Sequence, residues 1–201
     1  MARIVESAQT LLLERAPAEA RVVDICRAAG VTVGGFYSRF ADKDALLDHL
    51  EERARGEFVR FVTDLAETAE IVRPELATYI GALLRGLAEA YERNGGIIRR
   101  MVERAQRDAG LRERLAGVNR ENMDRTMAAI ATLGEVDHPE PEVALEFALL
   151  AQRSILREAL LFPDAWGARR IVGRDALLAE VRRMMVRYLG LAEEPDPDAT
   201  S

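Results

Sequence analysis

The residues whose types and spacing suggest chemistry lie between Arg21 and Lys43, in the stretch RVVDICRAAGVTVGGFYSRFADK. Cys26 is small, Gly30 stands four residues further on, and Phe36 stands ten after Cys26. Two short helices can cross steeply only if the contact residue is small, the turn tolerates unusual backbone angles and a large apolar residue plugs the junction. This is the spacing of a helix-turn-helix. The chemistry would be non-covalent, the reading of nucleic acid by a helix. The second helix would open Thr32-Val33-Gly34-Gly35. A glycine inside a helix is less favourable than alanine by about 1 kcal/mol. A core helix gains nothing from that, whereas a helix whose start must approach a DNA backbone does. The spacing by itself also fits an ordinary helical hairpin, or a loop with half a turn of helix.

Bond-making chemistry finds no support. The two histidines are His49 and His138. A di-iron bundle needs Glu-x-x-His on two helices, and only Glu135-Val136-Asp137-His138 has that form, beside prolines. There is no glycine-rich phosphate loop, nucleophile elbow or zinc spacing. No catalytic residue, metal ligand or cofactor is assigned, and an enzyme is not expected. A helical interaction module that does not touch DNA is the other alternative. Cys26 is the single cysteine, so no intrachain disulfide can form and a reducing, cytoplasmic setting is expected. Its simplest role is a small buried apolar residue, with a redox-sensing thiol as the sharper alternative.

Charge argues against a generally basic DNA-binding surface. The 201 residues carry a net charge of −6, with a pI near 5.2. Residues 1–50 hold six Lys/Arg against seven Asp/Glu. An acidic body repels phosphate, so any DNA contact must be local. Lys43 is the only lysine among 28 basic residues, which singles out its position. No apolar run is long enough to span a membrane, and the first residues lack the pattern of a signal peptide.

The stretch resembles the reader of the tetracycline-repressor (TetR) family of bacterial regulators, D-I-A-x-x-A-G-V-S-x-G-x-x-Y-x-x-F-x-x-K-x-x-L. Asp24, Ile25, Ala29, Gly30, Val31, Thr32, Gly34, Tyr37, Phe40, Lys43 and Leu46 stand in that register. The resemblance is confined to roughly residues 3–50. It implies that Thr32 and Val33 begin the recognition helix and that Gly35, Tyr37, Ser38 and Arg39 lie on or beside its DNA face. Tyr37 would donate its hydroxyl to a phosphate, and Lys43 would bind a phosphate at the start of the fourth helix. Phe36 and Phe40 would be core. Two departures stand out. Arg21 replaces the Ser or Thr that caps the second helix in the family, so it could meet a phosphate by charge but could not cap. Cys26 replaces alanine.

The elements that must position these residues are all helical, because no segment alternates as a strand does. The spacing predicts an all-α chain of about nine helices, at roughly 3–15, 22–29, 33–40, 43–71, 74–93, 97–108, 111–133, 142–162 and 175–190. Pro17 would end the first, Gly30 the second and Asn94-Gly95-Gly96 the fifth, with a further break at Gly110. Asp42 would cap the fourth. The expected domains are a helix-turn-helix unit over 1–47, an effector-binding and dimerisation unit over 48–192, and a disordered acidic tail over 193–201. The last two helices carry apolar stripes wider than one core needs, through Val143, Phe147, Leu150 and Ile155 and through Leu177, Val181, Met184 and Tyr188. They are the expected homodimer interface, which suits a palindromic double-stranded DNA operator, with the core of a plain monomeric bundle as the alternative. Phe61, Leu84, Leu87, Met101, Met123, Met127 and Phe147 are the candidate lining of a small-molecule effector pocket; plain core packing is the alternative for each.

Overall fold

A computed structural model describes residues 1–14, 19–162 and 173–191. Among them there are eight helices and no strand: α1 (Ala2–Glu14), α2 (Val22–Ala29), α3 (Val33–Tyr37), α4 (Lys43–Val72), α5 (Leu76–Arg107), α6 (Ala109–Leu133), α7 (Pro141–Leu161) and α8 (Arg174–Tyr188). No helix of the described residues is long and apolar enough to cross a membrane. The expected stop at Pro17, the connector after Phe162 and the acidic tail lie outside the described residues.

The chain divides into two compact units. The first comprises Met1–Val59 and Glu89–Ala116, and the second Arg60–Ala88 and Gly117–Ser201. The helices α4 and α5 each contribute one part to either unit. The core of the first unit therefore reaches past residue 47. Ile4, Ala8 and Leu12 of α1, Ile25 and Cys26 of α2, and Phe36 and Phe40 share one cluster with Leu46, Leu47, Leu50 and Ala54 of α4 and with Ile97 and Met101 of α5.

One expected boundary is overturned. Asn94-Gly95-Gly96 does not end a helix; α5 runs through it, so eight helices are described where nine were expected. The reason is tertiary. A Cβ on Gly96 would stand 2.0 Å from the carbonyl oxygen of Leu12. The two glycines are also buried along with Asn94. The Asn94 side chain accepts a hydrogen bond from the Gln9 amide at 2.9 Å. Small residues here let the end of α1 lie against α5, and the burial of that contact outweighs the weak helix propensity of glycine. The break expected at Gly110 falls at Asp108 instead, whose carboxylate accepts the Leu111 N–H at 2.9 Å and caps α6. That hydrogen bond also holds the Asp108 carboxyl below its usual range.

In the second unit, α7 buries Ala144, Leu145, Ala148, Leu149, Gln152 and Leu156 and packs against α8 through the face that carries Leu177, Leu178, Val181 and Met185. The turn before α7 is pinned to the end of α8: the Asp137 N–H donates to the Leu189 carbonyl at 3.1 Å. Gly190 makes this approach possible. It has a φ of 63°, and a Cβ there would meet the Asp137 carbonyl oxygen at 2.6 Å.

Candidate nucleic-acid interface

The junction of α2 and α3 is built as its spacing predicts. Gly30 closes α2 with a φ of 62° and a ψ of 39°, the left-handed conformation glycine adopts without strain. The Val31 N–H then returns to the Cys26 carbonyl at 3.0 Å. Cys26 is buried where the helices meet, and burial pushes its thiol above the usual value. The residue is thus apolar filling with its reactive thiolate disfavoured, which goes against a redox-sensing role. Phe36 is fully buried, and its ring lies 5.7 Å from that of Phe40. Both phenylalanines are core, as the resemblance implies.

Thr32 caps α3: its hydroxyl accepts the Gly35 N–H at 3.0 Å, and its backbone is extended. The helix ends at Tyr37 rather than Phe40 because the next residues fold back onto it. The Gly35 carbonyl accepts from the Ser38 hydroxyl at 3.0 Å and from the Arg39 guanidinium at 2.7 Å, and Arg39 also donates to the Ser38 hydroxyl at 3.1 Å. Gly35 is therefore the centre of a local hydrogen-bond set, not merely a gap. A Cβ on Gly35 would lie only 3.2 Å from the Thr32 hydroxyl.

The outer surface of this turn is open. Thr32, Val33, Gly34, Tyr37, Ser38 and Arg39 are exposed and Gly35 is half-buried. Val33 and Tyr37 are the large apolar members, 42% and 53% exposed. The Tyr37 ring makes a T-shaped pair with that of Phe36 at 5.3 Å. Lys43, half-buried, is the first residue of α4. Asp42 precedes it and accepts the Ala45 N–H at 2.7 Å, the cap expected from sequence.

Arg21 occupies the N-cap position of α2 and makes no capping hydrogen bond. Its guanidinium instead donates to Asp24 at 2.9 Å, while Arg27 reaches the same carboxylate at 3.2 Å. The hydrogen bond to Asp24, then its charge, hold the Arg21 guanidinium above its usual value.

The residues put forward for a pocket do not come together as one set. Met101 lies in the core of the first unit with Ile97. Leu84 and Leu87 are buried in α5, and the Phe61 ring lies over Gly86, where a Cβ would be 2.1 Å from it. Phe147 is 56% exposed on the outer side of α7, and its ring lies tilted beside that of Tyr188 at 5.5 Å. Met123 is half-buried. Met127 alone of the set lines a groove of about 540 Å³ between the end of α6 and the start of α7, with Ile130, Val136, Leu145, Glu135 and Glu142. Sequence reasoning missed that groove, whose lining residues carry no distinctive spacing. No cluster of His, Cys, Asp and Glu that could hold a metal occurs among the described residues.

Comparison with known proteins agrees with this geometry. Residues 4–50 match the model of the bacterial regulatory proteins of the tetR family. No curated protein matches the chain. Solved structures with the same fold include the TetR family transcriptional regulator PfmR from Thermus thermophilus, at a TM-score of 0.63 and 17% identity over 96% of this chain and 100% of that one. The fatty acid degradation regulator FadR from Bacillus halodurans aligns at a TM-score of 0.61 and 17% identity over 94% of each chain. The α2–α3 junction, its exposed surface and the match over residues 4–50 converge: the first helices of this chain form a helix-turn-helix DNA-binding domain of the tetR family of bacterial regulatory proteins.

Proposed function

We propose that the protein is a ligand-responsive repressor of the cytoplasm, which binds a palindromic operator as a homodimer and is released by a small apolar molecule. The observation that carries the dimer is the second face of α7. Val143, Phe147, Leu150 and Ile155 are 60, 56, 56 and 37% exposed, beside Met184 and Tyr188 of α8. A helix that already buries one apolar face has no reason to show water another, and such a patch marks an interface. Two such helix pairs related by a two-fold axis would form a four-helix contact. A two-fold protein reads two half-sites one helical turn apart.

In this reading the exposed surface of α3 enters the major groove. Thr32, Val33 and Gly35 bring its start close to the DNA, and Tyr37 donates its hydroxyl to a phosphate. Ser38 and Arg39 exchange their bonds to Gly35 for bonds to DNA. Lys43 holds a phosphate with help from the partial positive charge at the start of α4. Arg21 supplies a further positive charge beside the backbone. The acidic total is tolerated because few side chains touch DNA and a dimer doubles them.

The groove beside Met127 falls within the volume range of small-molecule sites and has an apolar lining. A molecule that binds a non-reading arrangement more tightly than the reading one shifts the population and frees the DNA. The test joins the two halves of the proposal. Phe147→Glu should convert a dimer to a monomer in sedimentation and abolish binding to a two-half-site duplex. A variant that stays dimeric, or a monomer with undiminished affinity, overturns the reading.

A further inference from the structure

Directly behind Lys43, α4 presents Asp44, Asp48 and Glu51 at intervals of four and three, which is one helix face. In the same compact unit α5 presents Arg100 and Arg104, also one face. The two sets interlock. Arg104 reaches Asp48 and Glu51 at 2.7 Å each. Arg100 reaches Asp48 at 3.3 Å and Asp44 at 3.4 Å, and it pairs with the other oxygen of Glu51. The Glu51 side chain is 6% exposed and that of Arg100 14%. This is a partly buried clasp rather than a set of surface pairs.

Beside the clasp, Leu46, Leu47, Leu50 and Ala54 of α4 share an apolar cluster with Ile97 and Met101 of α5. Apolar contact is non-directional and tolerates rotation and sliding of one helix on another. A guanidinium fork on carboxylates is directional. A buried ion pair is weak evidence for stability, since an apolar replacement often does as well, but it can specify one arrangement among several. The clasp sits within the first three turns of the helix that starts at Lys43 and whose Leu46 shares a core with Phe36 and Phe40 of the reader.

We propose that Arg100 and Arg104 are positioning residues for DNA reading: through Asp44, Asp48 and Glu51 they fix the rotation and register of the start of α4, and so the place of Lys43 and α3. This rests on the DNA-reading role proposed above. The clasp touches no DNA itself. Its loss should lower specific affinity without lowering non-specific affinity, because loose reading heads still meet phosphates but no longer meet the right bases.

The experiment uses the full chain and a duplex selected by the unaltered protein from a random pool, with a scrambled duplex as control. Affinities are measured over a range of salt. If no duplex is selected, the DNA-reading role itself fails, whatever the clasp does. If one is selected, Arg104→Gln and Glu51→Gln should each lower the ratio of selected to scrambled affinity roughly tenfold, about the effect of one mismatched base pair. The dependence on salt should stay unchanged, and the double variant should be no worse than the weaker single one. Lys43→Ala should instead lower both affinities and flatten the salt dependence. Arg104→Lys keeps the charge and the stem but not the fork, so it reports on geometry even if the glutamine variants do not fold, and it should lower the ratio too. A folded variant of the clasp with an unchanged ratio overturns the proposal. So does an Arg104 variant that flattens the salt dependence, which would make it a phosphate contact, or an Arg104→Lys protein that reads like the unaltered one.

Discussion

At the start and end of α3 most exposed residues are short or polar, Thr32, Gly34, Ser38 and Arg39, with Val33 and Tyr37 as the larger members beside half-buried Gly35. In the α7–α8 pair they are large and apolar: Val143, Phe147, Leu150, Tyr188. The same division shows in the hydrogen bonds. The reader turn ties Thr32, Gly35, Ser38 and Arg39 into a local set with directional bonds, whereas the outer face of α7 offers area without direction. Exposure therefore has two physical meanings in this chain. One surface is suited to a polar, charged partner at close range, and the other to a second apolar surface.

The comparison can be pressed at four places, in falling order of effect. Gly96→Leu forces a branched side chain against the Leu12 carbonyl, which backbone cannot yield to cheaply. Overpacking of this kind destabilises by about 1–3 kcal/mol and sometimes more. Chemical denaturation should show the largest loss of any glycine variant, with DNA binding lost through unfolding of the reader unit. Phe147→Glu should leave the melting temperature of the isolated chain nearly unchanged, since the residue is exposed, while shifting the sedimentation of the protein to that of a monomer. The atoms nearest a Cβ at Gly86 belong to the ring of Phe61, a side chain rather than backbone. Gly86→Ala should be milder than Gly96→Ala in the same denaturation experiment, and equal losses would mean that the two crossings are equally rigid.

The smallest effect concerns pH. Burial raises the Cys26 thiol above its usual 9.0. Its raised value stabilises the folded chain fully below the unfolded thiol's pKa, and that contribution is lost as pH rises through the folded value. Cys26→Ala should therefore flatten the decline of stability on the alkaline side. The unaltered thiol should react with iodoacetamide slowly at neutral pH and at the rate of unfolding.

The reader was legible in the sequence because backbone geometry dictates residue type there. Gly30 is needed at a left-handed φ, Thr32 at a cap, Cys26 at a close helix crossing, and each leaves a typed position at a fixed interval. The second face of α7 was legible as a stripe too wide for one core. The fifth helix was not. Asn94-Gly95-Gly96 is locally a helix stop, and only the approach of Leu12 from far away in the chain makes it a crossing point. The clasp was invisible for the same reason. Nothing local singles out Asp44, Asp48 and Glu51, whose partners Arg100 and Arg104 stand about fifty residues on. The pocket set was the least legible part, because apolar residues at helical spacing carry no mark of which core they join. Met101 went to the reader unit and Phe147 to the outer surface.

The most direct test of the central claim is selection from a random pool of duplexes by the full chain, followed by salt-dependent affinity of the selected duplex for the unaltered protein and for Lys43→Ala. The account predicts a selected sequence with two-fold-related half-sites about one helical turn apart. It predicts that Lys43→Ala weakens binding and lowers the slope of log affinity on log salt by about 0.9 for each reading head. Selection of no sequence, or a Lys43→Ala protein with the affinity and slope of the unaltered one, would contradict it.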